Sequence, residues 1–236
     1  MDSEGPKTSI LREGVFLLED PMIGRRVHEF DRKDFPFQTE EGLDFIRESI
    51  LDDTRVRKVI ESCLEQPGLG FIKAYGPDPH HVFSFMSNTT TESTENPEGI
   101  HRVKDNPKAL VVQLLPSSSR MVYYKASHLS PLHTKPASIG LLEVQEESLK
   151  KDHIERFEIP MKEGGLAIFD SRLGFSITQG ATIMAGFAVE EELKSWKKML
   201  LPGTRNIRQK VVEMSDQIGM NFEFVDLLLE AKRDTT

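Results

Sequence analysis

Two short runs hold the side chains best suited to chemistry. In "RMVYYKASH" (120–128), Tyr123 and Lys125 fall on one face of an alternating strand, and His128 follows at its end. A tyrosine or lysine beside a histidine can protonate a departing hydroxyl or polarise a carbonyl. The same residues also read as rim aromatics and a snorkelling lysine. In "DSRLGF" (170–175), Asp170 and Arg172 share parity, a spacing that braces a turn or faces a substrate. Further candidates surround these runs. Gln113 is the one polar residue of "ALVVQLL" (109–115), a buried hydrogen-bonder if it points inward and an ordinary solvent-facing glutamine if it does not. His133 with Lys135 could form an acid–base cluster at a barrel mouth, and Gln179 at a strand end could bind an oxygen-rich substrate. Phe175, Met184 and Phe187 are expected to wall a cavity, although most such residues are simply core.

Other signals are weaker. His80 and His81 are adjacent, and neighbours on a strand point to opposite faces. His101, Arg102 and Asp105 lie in a polar stretch from Met86 to Pro107, which reads as a lid or a plain surface loop. Cys63 is the only cysteine and sits in a helical pattern, as a buried thiol would. There is no phosphate-cradling glycine loop, no Gly-x-Ser-x-Gly elbow and no Cys-x-x-Cys.

The elements that must position these residues follow from periodicity. Helical spacing runs through 39–51 and 53–66, with Thr39 and Asp53 as caps. Gly68 and Gly70 end the second pattern, and a strand follows over 71–75. An earlier strand covers 14–20. Short strand-like segments then follow in quick succession over 109–115, 120–126, 139–144, 154–160, 165–169, 174–178 and 182–188. Turn residues separate most of them, the pattern of a sandwich or barrel. Helices are expected over 190–200, 205–219 and 222–232. The expected unit is one domain over 1–236, a β-barrel core at 108–188 flanked by N-terminal and C-terminal helices.

Two stretches carry a family resemblance. "VVQLLPSSSRMVYYKASHL" followed by "EGGLAIFDSRLGFSI" resembles the phytanoyl-CoA-dioxygenase-like branch of the iron(II)/2-oxoglutarate oxygenases, and the chain is similar in look to small proteins of fungal natural-product pathways. The resemblance implies a double-stranded β-helix, a cupin-like jelly roll, with helices packed outside. It also implies a His-x-Asp/Glu pair, one distal histidine and a cation for the cosubstrate carboxylate. The distal histidine is due two positions after Arg172-Leu173, where Phe175 stands. The only His-x-Asp/Glu is His153-Ile154-Glu155, outside the family's place for it, and no histidine follows it. The segment 182–188, due to hold the cation, has neither Arg nor Lys. The expectation is therefore a barrel without metal and without cofactor.

Bulk composition narrows the partners. A net charge of −8 argues against sequence-independent nucleic-acid binding. No apolar run reaches the roughly 18 residues of a membrane span, and the polar start lacks a signal-peptide core, so a cytoplasmic protein is expected. The functional expectation is a metal-independent enzyme that dehydrates or cyclises a hydrophobic small molecule, in the manner of a hetero-Diels–Alder catalyst, with Tyr123, Lys125, His128 and Arg172 as polar groups. The alternatives are a non-catalytic pseudo-oxygenase partner subunit, with a filled barrel, and an oxygenase with unconventional ligands. Flanking helices around a sheet-rich core fit a homodimer, and the pseudo-oxygenase alternative implies a heterodimer with an oxygenase.

Overall fold

The computed structural model describes residues 5–87 and 106–225. In chain order the elements are α1 (Pro6–Glu13), β1 (Val15–Glu19), α2 (Pro21–Asp31), α3 (Glu40–Ile46), α4 (Thr54–Cys63), β2 (Pro67–Tyr75) and β3 (Phe83–Ser84). Next come β4 (Ala109–Leu115), β5 (Ser119–Lys125), β6 (Thr134–Pro136), β7 (Leu142–Val144), β8 (Glu155–Met161), β9 (Gly165–Asp170), β10 (Gly174–Gln179) and β11 (Thr182–Val189). The last are α5 (Glu190–Leu193), β12 (Met199–Pro202), α6 (Arg205–Ser215), β13 (Gly219–Met220) and β14 (Phe222–Val225).

Local chemistry starts the helices where the chain offers caps. Asp20, Thr39, Asp53 and Thr204 each accept a backbone N–H from the first turn of α2, α3, α4 and α6. Pro6 and Pro21 open α1 and α2, where a missing N–H costs nothing.

Two six-stranded sheets face each other, with orders β1-β9-β4-β11-β2-β13 and β6-β7-β3-β10-β5-β8. Nearly all pairings are antiparallel; the short β13 runs parallel to β2. The first sheet has apolar residues on both faces because both are covered. Leu110, Val112, Leu114, Ile183, Ala185 and Phe187 meet the helices, with Ile23, Val27, Ile46 and Val56 opposite them. Val111, Leu115, Ala167, Phe169 and Met184 point the other way, into the space between the sheets. The result is a mixed α+β protein dominated by antiparallel sheets, with helices on one side.

Three expectations about elements change. The helix expected over 190–200 ends at Leu193, and Met199–Pro202 forms β12. A parallel ladder with Phe222–Val225 and burial of Leu201 outweigh the helical pattern. For the same reason Phe222–Val225 is strand, while 226–232 lie outside the described residues. Finally, β2 begins at Pro67, ahead of the expected Phe71, because Gly68 and Gly70 lie flat beneath Leu193 and Trp196, where a Cβ would collide. Among the described residues no helix is long and apolar enough to cross a membrane.

Candidate functional site

Four of the expected site residues converge between the sheets. Gln113 on β4 lies beside Met184 on β11, and Tyr123 on β5 lies beside Phe175 on β10. All four are fully buried. The Tyr123 hydroxyl donates to Gln113 Oε1 at 2.7 Å, and Gln113 Nε2 donates to Met121 Sδ at 3.4 Å. A phenol and an amide so far from water satisfy one another, as buried polar groups must. Burial alone pushes the Tyr123 hydroxyl well above the ordinary tyrosine value. Tyr123 is therefore a neutral donor whose one proton is already placed.

Aromatic rings crowd around this pair. Phe83 is the cross-strand partner of Phe175. Phe85 stacks on Phe175 with centroids 5.6 Å apart, and Phe169 stands 5.3 Å from Phe175 and 5.8 Å from Tyr123. Phe71 stacks on Phe85 at 5.1 Å and carries the cluster outward to Trp196 at 5.6 Å. Phe169, Phe175, Met121, Met161 and Met184 have no exposed surface. The interior is packed in the manner of a core.

The other polar candidates each have a separate place. Lys125 sits at the rim, paired with Glu13 at 2.9 Å and with its ammonium 4.0 Å from the centre of the Phe157 ring. Bonds from Arg12 and then Lys125 hold the Glu13 carboxyl below its usual range. His128 is buried beneath α1, with Nε2 3.2 Å from the Leu11 carbonyl oxygen. Desolvation lowers its pKa, opposed by the charge of Asp170. Gly14 makes this approach possible: it ends α1 with φ +88°, and a Cβ there would run into Leu173 and His128. Arg172 bonds both oxygens of the buried Asp170, and Asp170 Oδ1 also accepts the Arg172 backbone N–H. This pair braces the β9–β10 corner.

Several placements depart from expectation. Phe187 faces the helices, on the opposite side of β11 from Met184, because the two are three residues apart on an alternating strand. Gln179 is exposed and borders a surface hollow of about 260 Å³ with Arg120 and Lys162. His133 is exposed, and Lys135 pairs with Glu143 at 3.0 Å, so the two do not form a cluster at the mouth. His81 pairs with Asp78 at 3.0 Å, and His153 Nε2 lies 2.8 Å from Ser130 Oγ. His101, Arg102 and Asp105 lie outside the described residues. No motif in the sequence marks Leu11, Glu13 and Gly14 as neighbours of these side chains; the proline-led start and glycine stop of α1 are the signals that could have found them.

No family model matches the chain, and no curated protein does. Solved structures do match. HygX from Streptomyces hygroscopicus, with nickel, 2-oxoglutarate and hygromycin B bound, superimposes with TM-score 0.51 at 10% identity over 86% of this chain and 92% of that one. Its apo form gives 0.51 at 11% identity over the same shares. The fold is the oxygenase jelly roll. The α-ketoglutarate-dependent epimerase SnoN from nogalamycin biosynthesis is a further match, with TM-score 0.48 at 13% identity over 78% of this chain and 82% of that one.

An oxygenase-like barrel implies ligands for iron and a cation for 2-oxoglutarate. At the position due for the distal histidine, the phenyl ring of Phe175 offers no lone pair. Phe83 and Phe85, spaced as a His-x-Asp pair would be, are the rings that pack on it. His153 is exposed and bonded to Ser130, and Glu155 lies across from Lys125 at the start of β8. Among the described residues no group of three or more His, Cys, Asp or Glu side chains could hold a metal ion. On β11, Met184 and Gly186 occupy the inward positions where a carboxylate-binding cation is due. Among the described residues, the side chains at the positions the resemblance names for the distal histidine and the carboxylate-binding cation do not fit the iron or the cosubstrate.

Proposed function

We propose that this chain is a pseudo-oxygenase: an oxygenase-shaped subunit with a filled barrel that works by binding through its outside and carries out no oxidation itself. The observation that carries this reading is the cluster of Phe83, Phe85, Phe169 and Phe175, packed against the Tyr123–Gln113 bond, with Phe175 at the position where the resemblance asks for the distal histidine. A metal-free dehydratase or cyclase needs a hollow with free polar groups on its wall. Tyr123, Lys125, His128 and Arg172 are instead engaged with Gln113, Glu13, the Leu11 carbonyl and Asp170. HygX is recorded with hygromycin B in the same fold, so a pathway that handles a small natural product is a fitting setting, with an active oxygenase as partner.

The experiment is an anaerobic titration of the purified chain with iron(II) and 2-oxoglutarate, followed by calorimetry and thermal melting. The expected result is no saturable heat and an unchanged melting temperature. A stoichiometric ternary complex would overturn the proposal.

A further inference from the structure

A hollow of about 710 Å³ lies outside the barrel interior. It opens between the start of β2, the α5 segment and the end of α6. Its floor has little side-chain relief. Gly68 and Gly219 run side by side in the β2–β13 ladder, and Leu193 lies flat on Gly68. One wall is Trp196, whose indole packs against Gly70 and Phe71 while lining the hollow. The indole N–H donates to Glu192 at 3.1 Å, which fixes the ring's tilt. Trp196 thus touches both the filled interior and this open groove. A volume of this size with an aromatic wall suits a small molecule.

The rim sets the charge of that molecule. Glu61, Glu190 and Asp216 line the groove, against Lys194 and Lys198. Lys194 is held by Glu191 at 2.7 Å, a carboxylate outside the lining. Among the described residues neither Glu61, Asp216 nor Lys198 forms an ion pair, so carboxylates hold the balance. A flat face, an indole and spare carboxylates are the features that recognise an aromatic or alicyclic cation. We propose that this groove binds a flat, largely apolar ring bearing a protonated amine, with the ring against Trp196 and the ammonium drawn to the carboxylate rim. The site stands apart from the barrel interior, so it holds or fails independently of the pseudo-oxygenase reading.

Trp196 is the chain's single tryptophan, so the tryptophan emission of the intact protein comes from the wall of this groove, and amide mapping assigns a response to it. Titration with 2-phenylethylamine, 3-phenylpropanoate and 2-phenylethanol keeps the ring constant and changes the charge. The expected result is a saturable emission change with the amine, about tenfold tighter than with the acid. Added salt should erode that preference, because the rim is exposed. The double variant Glu190→Gln, Asp216→Asn should abolish the preference without shifting the thermal melt. Amide chemical-shift mapping with the amine should place the responses at 66–68 and 215–221. Equal or tighter binding of the acid, responses mapped elsewhere, or no saturable response to any of the three probes overturns the proposal.

Discussion

Tyr123 donates its hydroxyl proton to Gln113 across the space between the two sheets, at 2.7 Å, tying β5 to β4. The bond is a strong polar contact among packed rings. Tyr123→Phe leaves the Gln113 oxygen buried without its donor and should cost about 1–3 kcal/mol in urea unfolding. Gln113→Met alone should cost a similar amount by stranding the phenol. The double variant should cost less than the sum of the two, because no orphan remains. Strict additivity would mean that the two groups do not depend on each other.

Phe175 touches Phe83, Phe85 and Phe169, and it has no exposed surface. Phe175→Ala removes the central ring of the cluster and should destabilise the protein by about 3–5 kcal/mol. A dry void of that kind takes up small apolar molecules, so benzene should raise the melting temperature of the variant and leave the parent unchanged. A benzene response in the parent would reveal a hollow already present between the sheets.

Gly70 lies directly under the Trp196 ring. Gly70→Ala places a methyl group where the indole packs, so the ring must lift from β2 and lose contact with Phe71. A shift of Trp196 emission to longer wavelength is expected, with the far-ultraviolet circular dichroism of the sheets retained. Unchanged emission would show that the indole does not rest on β2.

His128 links stability to pH. Burial lowers its folded pKa below the ordinary value of 6.5, with Arg172 acting in the same direction and Asp170 against it. The Glu13–Lys125 ion pair bounds the same corner from α1 and β5. The native state thus prefers the neutral ring, and the unfolded chain binds the extra proton first. Stability is fully present above the unfolded value near 6.5 and falls as pH drops from there toward the lower folded value. His128→Gln removes this linkage. Between about pH 7 and pH 5 the parent should lose stability more steeply than the variant, as measured by urea midpoints. Parallel slopes would remove His128 as the source.

Much of the architecture is legible in the chain. Alternating apolar runs at 109–115, 165–169 and 182–188 mark strands, Thr39 and Asp53 mark helix starts, and the missing histidine at Phe175 is visible by eye. These are local signals: a strand's alternation, a cap's oxygen or an absent ligand can each be read within a few residues. The tertiary structure decided what lies opposite what. Gln113 meets Tyr123, and Phe83 and Phe85 close on Phe175, only because strands distant in sequence face one another across the sandwich. The same holds for β12 and β14, whose helical patterning yields to a parallel ladder, and for His128, whose partner Leu11 is more than a hundred residues away in the chain. Residue types record which groups could act, but access to them depends on long-range packing, and that packing leaves the interior filled and the Trp196 groove open.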